Sequence, residues 1–170
     1  MNDYDSQARA WISETMGKFS FLSTSSWIVI EWNNTFTRRM GDAIYFPLEK
    51  KGRIRLSLPL WPRASEQERR ETVIHELCHV LNEWFRFNKS GYRYNPGHGT
   101  SWKRLMLTVG LAPKRCHSVD RTGLKRKVTR VAATCGCMTY NITQTRATKI
   151  QNGTAVYCCR KCRGLLRVGT

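Results

Sequence analysis

The chain has 170 residues, which is enough for one domain of medium size and a small module but not for two full-sized domains. Lys and Arg outnumber Asp and Glu by 29 to 12, so the formal net charge is +17. Such a surplus lies on the surface and attracts polyanions, and we favour nucleic acid over an anionic membrane as its partner. We find no secretory-signal pattern and no stretch long and apolar enough to span a membrane. We therefore expect a reducing location, cytoplasmic and associated with the nucleoid or, in a eukaryote, nuclear.

The predicted elements begin with an amphipathic helix over residues 5–19, where apolar residues recur at helical spacing. Ser65 and Glu68 form a capping-box pattern, which predicts the start of a long helix that continues to about Phe87. Between the two helices, three segments rich in β-branched and aromatic residues read as strands: Trp27–Trp32, Ala43–Phe46 and Arg53–Leu58.

Glycine and proline mark residues 88–99 as a loop, and a short helix is predicted over Trp102–Val109. After that helix the composition becomes strongly basic. We therefore predict two parts, a larger domain at residues 1–120 and a small module at residues 121–170. Four short β-like segments are predicted in the module: Val128–Thr134, Met138–Ile142, Ala147–Ile150 and Ala155–Tyr157.

The long predicted helix carries the sequence His-Glu-Leu-Cys-His at residues 75–79. His75 and His79 differ by about 40° in direction and about 6 Å in rise on a helix, so both imidazoles can reach one metal ion. Glu76 lies close enough to hold a water molecule at that ion without binding the ion itself. This pattern predicts a zinc site in which Glu76 acts as the general base. Cys78 points towards the core and reads as a small buried residue.

A catalytic zinc ion needs a third protein ligand and an open position for water. Two histidines remain in the chain, His98 and His117. His98 lies between Gly97 and Gly99, just after the predicted loop, where the backbone can approach the helix closely. We favour His98 as the ligand and interpret His117 as a structural histidine.

Four cysteines near the carboxyl terminus form two close pairs: Cys135 with Cys137, and Cys159 with Cys162. Two such pairs across a short antiparallel unit predict a structural zinc ribbon, whose ion stabilises a module too small to fold alone. Cys158 and Cys116 are predicted not to bind metal. Free buried thiols or a redox pair are the alternatives.

The run Arg70–His79, then Gly97-His98-Gly99-x-x-Trp102, then the paired cysteines, resembles the SprT-like metalloproteases. This family includes bacterial SprT and the eukaryotic Spartan protease, and the resemblance extends from about Trp32 to Leu166. It implies an α+β fold: a compact zincin-like metalloprotease domain, with helices packed on a small β-sheet, followed by a small β zinc-ribbon module.

The resemblance also implies a function. His75, His79 and His98 would hold a catalytic zinc ion, Glu76 would be the general base, and the four cysteines would hold a second, structural zinc ion. The protein is then expected to be a zinc-dependent endopeptidase that cleaves proteins bound or crosslinked to DNA. We expect a monomer with no membrane partner.

The basic residues downstream are the candidate contacts to DNA phosphates. Phosphate contacts carry no sequence information, so binding without sequence preference is expected, to single strands or to junctions of single and double strands. Tyr140 and Tyr157 are candidates for stacking on unpaired bases, although Tyr157 could be part of the core. The candidate basic residues are Arg121, Lys125, Arg126, Lys127, Arg130, Lys149, Arg160, Lys161, Arg163 and Arg167.

Two other classes of function compete with this one. In the first, the chain is a non-catalytic DNA-binding adaptor, a repair or transcription accessory factor with structural zinc sites, and Glu76 has no chemical role. In the second, it is a peptidase without a nucleic-acid partner, which leaves the charge unexplained. For the enzyme, Tyr92, Arg93 and Tyr94 are candidates for stabilising the oxyanion, with a packing or solvated loop as the equal alternative.

Overall fold

The computed structural model describes residues 3–19, 24–115, 118–124 and 128–169. The chain divides into two compact units, residues 1–125 and 126–170. The division falls a few residues after the boundary predicted at residue 120. Both units combine helices with a small sheet, so the chain is an α+β protein.

The first unit contains a three-stranded sheet with strand order β1-β3-β2. Strand β1 is parallel to β3 and β2 is antiparallel to it, which leaves β2 at one edge of the sheet. The predicted helices and strands of this unit are all present, with ends shifted by a few residues. Their bounds are Asp3–Met16 for α1, Ile28–Asn33 for β1, Gly41–Phe46 for β2, Lys51–Ser57 for β3, Glu66–Asn88 for α2 and Thr100–Thr108 for α3.

Helix α2 is the central element of the first unit. Its amino terminus has the predicted capping box, in which the Ser65 hydroxyl accepts from the Glu68 backbone N–H and the Glu68 carboxylate accepts from the Ser65 N–H. The helix lies close to the sheet, since a Cβ atom on Gly52 of β3 would be only 2.4 Å from Val80 of α2. Val80 is fully buried at this contact, and Leu77 of the same helix is fully buried in the core. The helix is thereby fixed against the sheet along the turns that carry the His-Glu-Leu-Cys-His sequence.

The second unit has a three-stranded antiparallel sheet with strand order β5-β4-β6 and one helix, α4. Its elements are β4 (Arg130–Thr134), β5 (Thr139–Thr143), α4 (Gln144–Gln151) and β6 (Arg167–Val168).

Two of the four strand predictions for this unit are wrong. Residues 147–150 are helical because the Thr143 side chain accepts a hydrogen bond from the Arg146 N–H and caps α4, and because Ala147 is fully buried. Residues 155–157 form no strand. The residue that follows them, Cys158, forms an isolated antiparallel bridge with Leu165. The module therefore contains a helix in addition to its strands.

Candidate metal centres

Three histidine side chains of the first unit converge on one point. The Nε2 atom of His98 lies 2.9 Å from that of His75 and 3.2 Å from that of His79, and the latter two are 3.3 Å apart. A tetrahedral zinc ion with bonds of about 2.0–2.1 Å to imidazole places its ligands about 3.3 Å from one another. The three nitrogens therefore fit three corners of such a site and leave the fourth for water or substrate.

Different kinds of structure hold these histidines. The first two lie one turn apart on α2, whereas His98 lies in a tight turn that leads into α3. Gly97 has a φ of 58°, which most side chains disfavour. A Cβ atom on Gly99 would lie 2.5 Å from the Asn95 Cβ, so only glycine fits there. These two glycines let the chain fold back sharply enough to bring His98 to α2.

The Trp102 ring contacts all three histidine rings. It stacks on His79 at 5.3 Å between centroids and meets His75 and His98 edge-on at 4.7 and 4.6 Å. Trp102 is fully buried, and its Nε1–H points to the His75 carbonyl oxygen at 3.4 Å. The indole therefore restricts the orientation of every imidazole in the group.

The environment of the three histidines favours their neutral form. Burial, together with the smaller effect of neighbouring histidines, lowers the pKa of His75 to about 4 and that of His79 to about 3. Burial and the charge of Arg115 also lower the pKa of His98. Metal binding requires neutral imidazole, so the group has its ligand form at neutral pH. The donor set and its geometry thus fit a zinc ion.

Glu76 is 7% exposed, and a Cβ atom on the neighbouring Gly41 would lie 2.9 Å from its Cγ. Burial and, less strongly, the charge of Asp42 raise the pKa of Glu76 to about 8, against a smaller opposing effect of Arg39. A dication nearby would stabilise the carboxylate form of Glu76 and lower its pKa again. Glu76 is therefore placed as a buried group whose proton affinity depends on what occupies the histidine site.

The histidines and Glu76 line one cleft of about 580 Å³. One wall is the edge strand β2 and the residues before it, the second is α2, and the third is the segment that follows α3. The Met40 carbonyl accepts from Ser57 N–H of β3, so the backbone groups of Gly41 and Ala43 point away from β3 in the alternating antiparallel pattern. No strand among the described residues pairs with this edge. An extended peptide could add to the sheet here.

The predicted oxyanion candidates lie elsewhere. The Tyr92 hydroxyl donates to the Asn82 side chain, the Tyr94 hydroxyl donates to Glu83, and Arg93 is exposed. None of these three residues lines the cleft. The loop therefore has a packing role, and that alternative is the one the structure favours. Cys78 is fully buried, as predicted.

Some predicted residues lie outside the described part of the chain. They are Cys116, His117, Lys125, Arg126 and Lys127. The predictions for them stay predictions.

Four cysteine sulfurs gather in the second unit, within 4.8 Å of one another: those of Cys135, Cys137, Cys159 and Cys162. Cys158 is exposed and is not part of the group. The backbone N–H groups of Lys161 and Cys162 point to the Cys159 sulfur at 3.3 and 3.5 Å. Donors aimed at a sulfur stabilise a thiolate, the form that binds metal.

The Tyr140 hydroxyl lies 3.0 Å from the Cys159 sulfur. This contact and the backbone donors lower the pKa of Cys159 to about 6, and the same contact raises the pKa of Tyr140 to about 12. A hydrogen bond between Cys135 and Cys137 raises the pKa of Cys137 and lowers that of Cys135. Four thiols at this spacing fit a closed tetrahedral metal site. Tyr140 is thus placed as a partner of the cysteine group.

The predicted phosphate contacts in the described part of the second unit are exposed: Arg130, Lys149, Arg160, Lys161, Arg163 and Arg167. Arg121 is exposed in the first unit. Sequence reasoning missed Arg146, whose guanidinium lies 5.6 Å from the centre of the partly buried Tyr157 ring. It also missed a charge asymmetry, since all 12 acidic residues lie within positions 1–120. The second unit carries only positive and neutral side chains.

Comparison with known proteins assigns the family. The model of the SprT-like family matches residues 8–123, which is more than half of the chain. The chain belongs to the SprT-like family. None of the helices in the described part of the chain is long and apolar enough to cross a membrane.

Individual relatives agree with this assignment. The chain is 34% identical over 110 residues to Protein SprT of Escherichia coli O157:H7, a match that covers 64% of this chain and 62% of that protein. For Protein SprT of Proteus mirabilis the identity is 31% over 129 residues, or 75% and 70% of the two chains. For Pasteurella multocida it is 33% over 94 residues, or 55% and 52%. The chain thus spans between about half and seven tenths of the length of these relatives.

Proposed function

We propose that the protein is a zinc-dependent endopeptidase that binds DNA through its basic second unit and cleaves proteins bound or crosslinked to that DNA. The observation that carries the proposal is the histidine group with one open corner, set in a cleft beside the buried carboxyl of Glu76. A purely structural metal site is closed by four protein ligands and has no use for a base.

His75, His79 and His98 would hold the ion. When bound, zinc supplies a Lewis acid that lowers the pKa of water and polarises the scissile carbonyl. Glu76 would accept the proton of the attacking water and pass it to the leaving amine. Its buried position excludes bulk water from this transfer, and Gly41 leaves the carboxyl just enough room beside β2.

The edge of β2, with which no strand in the described ranges pairs, suits an extended substrate. Backbone groups of Gly41 and Ala43 would form main-chain hydrogen bonds to a peptide, largely independent of its sequence. Such binding requires an unfolded or flexible segment, because a folded protein offers few free strands. The proposed substrates are therefore flexible regions of proteins held on DNA.

The second unit supports the DNA part of the proposal. Its exposed Lys and Arg residues lack any neighbouring acidic residue in the sequence of the unit, so their field is uncompensated. Binding to phosphates would hold the protease on the same strand as its substrate and raise the local substrate concentration. Single strands or junctions are the proposed targets, with Tyr157 as a candidate stacking residue. We propose a cytoplasmic or nuclear location.

The test compares a protein conjugated to a single-stranded oligonucleotide with the same protein free in solution. Wild type should cleave the conjugate at least about tenfold faster at low salt, an advantage that fades as salt rises. A triple variant with Arg160, Lys161 and Arg163 changed to Gln should cleave both substrates at a similar rate. Glu76→Gln should cleave both substrates at least about 100-fold more slowly than wild type.

The outcomes separate the competing functions. If wild type bound the oligonucleotide but cleaved neither substrate, the non-catalytic adaptor would be favoured. An adaptor would have the same basic second unit and the same cysteine group as the proposed enzyme. Equal cleavage of free and conjugated protein by wild type would leave a peptidase without a nucleic-acid partner.

A further inference from the structure

Of the three histidines that converge on one point, His98 is the one whose position the local backbone determines least. The other two are fixed by α2, whereas His98 lies in residues 89–99, which form neither helix nor strand. A metal site needs its ligands held within about 0.5 Å of the productive geometry. Something outside this segment must therefore hold the turn against α2.

Asn82 occupies the place where that connection is made. It lies three residues after His79, on the same side of α2, and is only 2% exposed. Its Nδ2 donates to the Asn95 carbonyl oxygen at 3.1 Å, and its Oδ1 accepts from the Tyr92 hydroxyl at 2.8 Å. The amide thus binds the His98 segment at two points.

The turn is held from α3 as well. Ser101 is 1% exposed, and its hydroxyl accepts from the Asn95 N–H at 2.9 Å and lies 3.1 Å from the Asn95 carbonyl oxygen. The Thr100 hydroxyl donates to the Asn95 side chain at 2.5 Å. Asn95 and Gly99 lie at the two ends of the short stretch that contains His98, and they are in close contact with each other. A displacement of Asn95 would therefore shift the whole stretch.

We propose that Asn82 is a positioning residue for the metal site: through Asn95 and Tyr92 it sets the distance between the His98 turn and the two helical histidines. This inference rests on the proposed histidine metal site. Asn82 itself contacts neither the imidazole nitrogens nor the cleft, and it acts through the backbone of the turn.

The test is a zinc titration of the metal-free full chain against a competing chelator, for wild type and Asn82→Leu. The variant should weaken zinc binding at the histidine site by about 10–100-fold, as the loss of residues that orient metal ligands does. The cysteine site should keep its affinity. Tyr92→Phe, which removes one hydroxyl and keeps the ring packing on Phe85, should give a smaller loss in the same direction.

Asn88→Leu is the matched control. Asn88 lies on the same helix, and its side chain contacts the Trp84 carbonyl and the Tyr45 hydroxyl, away from the turn. It should bind both zinc ions as wild type does. A merely structural role for Asn82 would destabilise the metal-free and zinc-bound proteins equally and leave the zinc affinity unchanged, which would overturn the inference. If wild type itself bound only the cysteine-site zinc, the proposed function would fail first.

Discussion

The two candidate metal sites use opposite arrangements. The histidine group is set in a cleft of the first unit, with three donors, an open corner and a buried carboxyl beside it. The cysteine group has four donors, with backbone N–H groups and a tyrosine hydroxyl directed at one sulfur. The first arrangement leaves room for chemistry, and the second completes the coordination of an ion. This difference supports the proposal that the first unit carries the reaction and that the ion of the second unit serves folding.

The two units also differ in how they gain stability. The first has a continuous core that includes the fully buried Leu77, Trp61 and Trp102. Among the described residues of the second unit, the core contains five buried residues, one of which is Cys159. A core this small contributes too little to the free energy of folding to hold the unit together without a bound ion. The metal is thus expected to be optional for the fold of the first unit and required for that of the second.

Removal of one ligand from each site should give the largest contrast. Cys159→Ser should unfold residues 126–170, because structural zinc contributes about 10–16 kcal/mol to the folding of small zinc modules. His79→Ala should lose its zinc yet keep the fold of the first unit. Amide hydrogen exchange with metal analysis measures both effects. Retained protection of residues 126–170 in the zinc-free cysteine variant would contradict the distinction.

Crowding of Glu76 should affect only the histidine site. Gly41→Ala introduces a methyl group 2.9 Å from the Glu76 Cγ and 3.1 Å from the Arg55 carbonyl oxygen, so we expect a loss of about 1–3 kcal/mol in stability and a lower kcat. Zinc content should stay the same. Gly17→Ala, whose added carbon would make ordinary contacts at 3.4 Å, serves as the control in thermal unfolding and turnover assays.

The pH dependence of the metal-free protein should report the burial of Glu76. Its folded pKa of about 8 lies above the unfolded value, so the folded state holds the extra proton. The resulting stability is complete below pH about 4.5 and is lost as pH rises through 8. Between pH 6.5 and 8.5, metal-free wild type should lose about 1–2 kcal/mol relative to Glu76→Gln in denaturant unfolding. Parallel pH profiles for the two proteins would show that Glu76 is ionised or exposed.

The smallest expected effect concerns Arg163, which follows the last cysteine with a φ of 62°. Arg163→Gly removes the strain of this positive φ but gives the unfolded chain more conformational freedom. The two effects oppose each other, so the free energy of unfolding should change by less than about 1 kcal/mol. The slope of log affinity for single-stranded DNA against log salt should fall by about 0.7. Lys50→Gly is the control, since Lys50 is an exposed cation of the first unit with a φ of 52°. Equal slopes for all three proteins would remove Arg163 from the DNA contacts.

The sequence predicted the features whose signals are local. The capping box at Ser65 and the four-residue spacing of His75 and His79 depend only on helix geometry, and α2 is present as expected. The pairing of cysteines by close spacing likewise predicted which four sulfurs would gather. The flanking glycines indicated correctly that the turn with His98 could fold back on α2.

Features that depend on distant contacts could not be predicted. Helix α4 was missed because Ala147 and Ile150 are its few apolar residues, and an eight-residue segment gives too weak a helical pattern to exclude a strand. Nothing in the spacing of Asn82 or Trp102 indicates that one binds the His98 turn and the other packs on three imidazoles. The contact between the Tyr140 hydroxyl and the Cys159 sulfur likewise has no signal in the sequence, and base stacking by Tyr140 stays a prediction.

The most direct test of the central claim measures zinc content and proteolytic turnover on the same sample of Glu76→Gln. We expect two zinc ions per chain, as in wild type, and a turnover reduced by about 10²–10⁴-fold, the range typical of the loss of a general base. Glu71→Gln, the same substitution in the same cleft and on the same helix, should keep most of the activity. Wild-type turnover by Glu76→Gln with its zinc in place would show that Glu76 is not the general base.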